Sequence, residues 1–147
     1  MKDKSISLEI KKTDNLILRK IINMNKGVTE LQISPSQIIF LKYLVEHKKD
    51  KMFQKDIEKN SPFRKSTISG IIQTMEKNGL IIRKNFSDAR CKEIVLTQKA
   101  IELNKIFTKK KNQLDTLATK NIDKDKLEIF YEVTKQIQDN LKGEDDV

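Results

Sequence analysis

The chain has 147 residues, 35% charged and 37% hydrophobic, with net charge +9 at pH 7, enough for one domain with its own core or a small domain with oligomerisation arms. No window approaches the about 18 consecutive apolar residues of a membrane span, and the start MKDKSISLEIKK has acids and no apolar run, unlike a secretory leader. One cysteine excludes an internal disulfide and a multi-cysteine zinc site, and one histidine leaves only carboxylates for a metal centre, of which no cluster is seen; no metal or other cofactor is expected, and the cytoplasm is the expected compartment.

Residues 4–30 carry Ile6, Ile10, Ile17, Ile21, Met24, Val28 and Leu31 at spacings of 4, 7, 4, 3, 4 and 3, which predicts one long helix. Ser34-Pro35-Ser36-Gln37 then starts a second. Ser34 suits the cap, Pro35 the first helical position and Gln37 the return position of a capping box. This helix turns Ile38, Leu41, Leu44 and Val45 inward and ends near His47. Phe53 to Asn60 can form two turns, interrupted at Ser61-Pro62 because a residue before proline disfavours the helical region.

A further helix is predicted over 65–78, with Ile68, Ile71, Ile72 and Met75 in one stripe. Asn78-Gly79 stops it. The β-rich stretches 80–85 and 92–96 flank FSDARC and predict a hairpin. Thr97 caps a long helix with Ile101, Leu103, Phe107, Leu114 and Leu117, and Asp123 caps a last one with Leu127, Phe130, Val133, Ile137 and Leu141. The expected fold is mainly α with a small β-hairpin: a winged helix-turn-helix over 34–97, an N-terminal arm over 1–33 and C-terminal helices over 98–147. The apolar faces of the terminal helices exceed the partner surface one chain offers, so two chains are expected to pack them together. Ile6, Ile10, Leu127, Phe130, Val133, Ile137 and Leu141 would form that contact.

Charge is unevenly placed. Residues 48–92 hold twelve basic and five acidic groups, net +7, against +3 before them and −1 after. A concentrated basic region is the footprint of a nucleic-acid surface. Within it, the 65–78 helix turns Ser66, Ser69, Gly70, Gln73 and Lys77 away from its apolar stripe. Serine and glutamine can bond phosphates or base edges, and glutamine matches the N6/N7 edge of adenine. Arg64 and Lys65 stand at the helix start, where the dipole also favours phosphate. The hairpin adds Arg83, Lys84, Arg90 and Lys92. An arginine on a thin loop can enter a minor groove, and Asp88 is placed to hold a basic neighbour through a charge-assisted bond.

The segment from Ser34 to Leu103 resembles the MarR family of winged-helix transcriptional regulators. The likeness lies in ISPSQIIFLKYL, in KSTISGIIQTMEKNGLI and in SDARCKEIVLT. It implies a homodimer with interlocked terminal helices, two reader helices in successive major grooves of a pseudo-palindromic double-stranded DNA operator, and two wings in the flanking minor grooves. Ser66, Thr67, Ser69 and Gln73 would contact DNA from the helix, Arg90 from the wing tip, with Asp88 as its positioning partner. Lys65 departs from the small residue or proline common before the Ser-Thr pair, and Phe63 takes an aliphatic position. The resemblance also implies a repressor released by a small aromatic or lipophilic effector, with Ile17, Ile21, Phe40, Tyr43 and Phe107 as candidate liners of its crevice. Apolar stripes at helical spacing are more commonly core. The cysteine of this chain, Cys91, sits beside Arg90, where neighbouring cations can lower a thiol pKa; a passive strand residue is the simpler reading.

Catalysis finds little support. His47 lacks a Ser, Cys or Asp constellation near it in sequence, and no glycine-rich phosphate loop occurs. The alternative to an operator reader is a winged helix serving as a protein-interaction or RNA-binding module. An acidic or apolar reader face would favour it.

Overall fold

Ser34 opens α2 (Pro35–Glu46) with a reciprocal cap. Its Oγ accepts from the Gln37 N–H at 3.2 Å, while the Ser34 N–H donates to Gln37 Oε1 at 3.3 Å. Two of the helix's orphan donors are thereby satisfied. The helix that follows places Phe40, Leu41 and Leu44 in the core with no exposure at all.

The computed structural model describes residues 4–48, 51–61, 63–85 and 92–144. They fall into two units, dividing between Leu114 and Asp115. The first holds α1 (Ile6–Met24), α2, β1 (Met52–Phe53), α3 (Gln54–Asn60), α4 (Lys65–Lys77), β2 (Ile81–Asn85), β3 (Lys92–Leu96) and most of α5 (Gln98–Ala118). Its core joins the inward faces of α2 and α4 to Ile57, Leu80, Ile81, Ile94, Leu96, Leu103 and Phe107. The division falls inside α5, so α1 and the first five turns of α5 go with the helix-turn-helix elements.

Two features differ from the sequence reading. The first helix stops at Met24 rather than near residue 30. The Asn25 side chain takes a last-turn carbonyl, Nδ2 donating to Ile21 O at 2.8 Å, and Gly27 adopts φ +77°, open to glycine at little cost. Val28, Leu31 and Ile33 then reach the core from irregular chain, so their spacing reports burial rather than helix. The second is β1, which pairs antiparallel with β3 (Met52 opposite Ile94, Phe53 opposite Glu93) and gives a three-stranded sheet of order β1-β3-β2. Phe53 is accordingly the cap of α3, not its first helical residue.

The end of α4 is fixed by a six-residue C-terminal motif. Gly79 sits at φ +73°, its N–H donates to Glu76 O at 3.0 Å, and the Leu80 N–H donates to Met75 O at 2.9 Å. Leu80 is thereby turned into the core, fully buried. Thr97 clasps the same turn from the far end of the hairpin. Its N–H donates to Leu80 O at 3.1 Å, its hydroxyl lies 2.8 Å from Gly79 O, and Oγ1 accepts from the Ala100 N–H at 3.2 Å. One residue thus closes β3, caps α5 and ties both to the end of α4.

The second unit comprises the last turn of α5, a turn at Asn121 and α6 (Lys124–Glu144). Asn121 takes φ 61°, a region in which asparagine is enriched. Phe130, Tyr131, Val133 and Leu141 are exposed on α6. No helix among the described residues is long and apolar enough to cross a membrane.

Candidate nucleic-acid interface

The face that α4 turns to solvent follows from its sequence. The four apolar residues of KSTISGIIQTMEK are buried, Ile68, Ile72 and Met75 completely. Their burial rotates Ser66, Ser69, Gly70, Gln73 and Lys77 outward, and all five are exposed, as are Arg64, Lys65 and Thr67. A Cβ added at Gly70 would meet nothing within 4 Å. The surface is therefore flat and open at the middle of the helix, with hydroxyls and one amide around it. The helix start carries two cations and no side-chain cap, so its first N–H groups are unclaimed by a cap side chain.

Beside the start of α4 lies a polar cleft lined by Gln54, Lys55 and Glu58 of α3, Lys65 of α4, and Arg83 and Lys92 of the hairpin. Lys84 and Lys92 are exposed, with Lys84 opposite Glu93 in register. Arg83 is held in a two-bond ion pair. Its Nε donates to Glu76 Oε2 at 3.0 Å and its Nη2 to Glu76 Oε1 at 2.9 Å, a parallel two-bond fork. Glu76 is the one acid in the α4 sequence, and Arg83 neutralises it. Asp88, Arg90 and Cys91 lie outside the described residues.

The fork shifts both partners. Hydrogen bonding from Arg83 holds the Glu76 carboxyl below its ordinary value of 4.5, against an opposing desolvation effect, and bonding to Glu76 raises the Arg83 guanidinium above its ordinary value. A carboxyl with a depressed folded pKa stabilises the fold above its unfolded pKa, and that contribution is lost as pH falls through the folded value. Thermal melts from pH 6 down are thus expected to show stability falling below about pH 4.5, and Glu76→Gln is expected to flatten that part of the profile. An unchanged profile would mean the fork contributes nothing to folding.

An apolar cavity of about 70 Å³ lies among α1, α2 and α5, with Ile21, Met24, Ile38, Phe107 and Leu114 in its walls. Of the five residues expected to line an effector crevice, Ile21 and Phe107 stand in the walls of this cavity, and Ile17, Phe40 and Tyr43 do not. Phe40 is fully buried, edge-on to Phe63 at 5.4 Å between ring centres. Tyr43 lies outside the cavity, stacked on Phe40 at 6.4 Å and on His47 at 4.2 Å beside a cleft with Met52 and Phe53. Ile17 lies one turn before Ile21 and is exposed outside the cavity. Asn25 and Asn104 also line it, and the Oδ1 atom of each is buried without a hydrogen-bond partner among the described residues. The sequence signal for Asn104 was a lone amide between Leu103 and Phe107 on the buried side of α5. Of the residues expected at a dimer contact, Ile6, Ile10, Phe130, Val133 and Leu141 are exposed, while Leu127 and Ile137 are half-buried. Among the described residues no group of His, Cys, Asp and Glu is arranged to hold a metal ion.

No protein-family model matches the sequence, and no curated protein matches it. Solved structures do match. A DNA complex of MepR from S. aureus superposes with TM-score 0.81 at 23% identity, covering 93% of this chain and 99% of that one. The organohalide-sensing regulator RdhR in ligand-free form gives 0.83 at 20%, covering 96% and 82%. A putative MarR family regulator from Listeria monocytogenes, complexed with a 26mer DNA, gives 0.74 at 21%, covering 95% and 90%. The fold of this chain is the winged-helix fold of MarR-type transcriptional regulators, over nearly its full length.

Proposed function

We propose that the protein is a sequence-specific, double-stranded DNA-binding transcriptional regulator, acting as a homodimer on a pseudo-palindromic operator, and a repressor released by a small aromatic or lipophilic effector. The observation that carries this reading is the exposed face of α4. It is polar, basic at its start, bare at Gly70, and its one acid is cancelled by Arg83. Such a face suits a major groove, where hydroxyls bond phosphates and Gln73 reads a base edge. Two of the fold neighbours were solved on DNA. The apolar surface of α1 and α6 supports pairing with a second copy, which sets two α4 helices about one helical turn apart on DNA. On this reading the arms are residues 1–33 and 98–147 around a DNA-binding lobe at 34–97, and the protein works in the cytoplasm without catalysis.

The cavity at α1, α2 and α5 is the proposed effector site. The organohalide-sensing neighbour has a form bound to 2,4-dichlorophenol. At about 70 Å³ the cavity is well below the about 300–1,000 Å³ usual for small-molecule sites. An effector must therefore widen it by moving α1, α2 or α5, and α2 packs directly on α4. That movement gives effector binding a route to the reader helix.

Two substitutions test the assignment of roles. Arg90→Ala is expected to weaken DNA binding and to reduce the slope of log K against log salt by about 0.9 for each wing lost. Gln73→Ala is expected to relax preference at one base position by about 1–3 kcal/mol. Binding by the Arg90 variant equal to wild type at every salt concentration would remove the wing from the interface.

A further inference from the structure

We propose that Glu76 is a positioning residue for DNA engagement: it withdraws Arg83 from the phosphate-facing surface and so keeps sequence-independent affinity low. The inference rests on the DNA-binding reading above. Its basis is where the two side chains stand. Counted from Lys65, Glu76 lies eleven residues along α4, which at about 100° per residue returns it to within about 20° of the same stripe. That stripe is the shoulder between the solvent face and the hairpin. Arg83 comes to it from β2, paired with Ile94 of β3. It lies in the cleft shared by Lys55, Lys65 and Lys92.

Those three lysines and Arg83 converge on one cleft at the start of the reader helix. A phosphate there would meet up to four cations, and Arg83 presents the geometry that binds phosphate bidentately. Glu76 occupies that geometry instead. Both of its oxygens are used, at 2.9 and 3.0 Å, and the two-point contact fixes the guanidinium in orientation as well as place. Arg83 is about three-quarters buried at its side chain and Glu76 about three-fifths, so the pair is more sheltered than an ordinary surface ion pair. A regulator gains selectivity when fewer cations contact phosphate indiscriminately, since phosphate contacts carry affinity without sequence information. The fork also ties the first wing strand to α4, so that reader helix and hairpin approach DNA as one piece.

The test uses the full-length protein, a mixed-sequence DNA duplex, and titration of binding against salt. Glu76→Gln removes the charge while keeping the shape. It is expected to tighten binding to the mixed-sequence duplex at low salt and to steepen the salt slope by about 0.9 for each protomer that engages DNA. Glu58→Gln is the control. Glu58 lines the same cleft and accepts from Gln54 Nε2 at 3.2 Å, so its neutralisation adds equal charge without releasing an arginine; its slope is expected to steepen clearly less than that of Glu76→Gln. The double variant Glu76→Gln with Arg83→Gln is expected to return to the wild-type slope. A Glu76→Gln slope equal to wild type, or equal to that of Glu58→Gln, would overturn the proposal. Failure of the wild-type protein to bind any duplex would instead overturn the DNA-binding reading beneath it. A merely structural role for the fork would lower the melting temperature and leave every slope alone.

Discussion

Gly70→Glu is expected to lower affinity for duplex DNA by about 100-fold or more while leaving the fold intact. The position is helical, exposed, and open for at least 4 Å around a new Cβ. Glycine is also about 0.8–1.0 kcal/mol worse than alanine inside a helix, so the variant is expected to melt no lower than wild type. The loss comes from the face itself. A carboxylate at the centre of the reader helix meets the negative potential of the groove, and a dimer presents two of them. If each costs about as much as a mismatched base pair, about 1–3 kcal/mol, the pair costs about 2–6 kcal/mol. At about 1.4 kcal/mol per tenfold, the middle of that range exceeds 100-fold. Gly70→Ala separates bulk from charge, because it brings the same helical gain with only a methyl group. Fluorescence anisotropy on a labelled duplex reads the binding and a thermal melt reads the fold. Normal DNA binding by a stable Gly70→Glu protein would show that α4 is not the reader.

The largest stability effect is expected at Phe40. It was a candidate effector liner in the sequence, and it is fully buried against Phe63 and Tyr43. Truncating a buried phenylalanine to alanine costs about 3–5 kcal/mol, because the cavity left behind closes incompletely. Against a total stability of about 5–15 kcal/mol, that loss makes an appreciable unfolded fraction. The melting temperature is expected to fall by about 10 °C, from about 2–4 °C per kcal/mol for a chain of this size. Ile82→Ala serves as the comparison, since Ile82 is half exposed on β2, and its effect is expected to stay within about 0.5 kcal/mol. Were Phe40 a crevice wall, truncation would change effector binding at little cost in stability. Urea unfolding separates the two outcomes.

What could be read from the sequence was whatever is local. The Ser34–Gln37 cap, the α4 stripe, the glycine stop at Gly79 and the Thr97 cap each depend on a few adjacent residues. The two caps and the glycine stop carry the bonds their chemistry predicts, and the stripe is buried. The end of α1 is not legible because Val28 and Leu31 are half-buried against the core while outside any helix. Burial and helical periodicity leave the same mark over a few residues. Strand β1 is two residues long, too short for alternation to register. The role of Glu76 is not legible in the sequence, because its partner lies seven residues on, across a helix end and a turn, a spacing that no helix or strand rule singles out. Asn25 and Asn104 come together only when α1 and α5 close on one cavity. Phe40 and Tyr43 suit a crevice by their chemistry, but the rotation of α2 buries Phe40 in the core and stacks the half-buried Tyr43 between it and His47.

Selection of bound duplexes from a random DNA pool shows directly whether α4 reads DNA. The expected product is a pseudo-palindrome with half-sites about one helical turn apart. Its enrichment is expected to be lost with Gly70→Glu and broadened at one position per half-site with Gln73→Ala. A pool that shows no enrichment with the wild-type protein, or enrichment that survives Gly70→Glu, would contradict a DNA-reading role for α4.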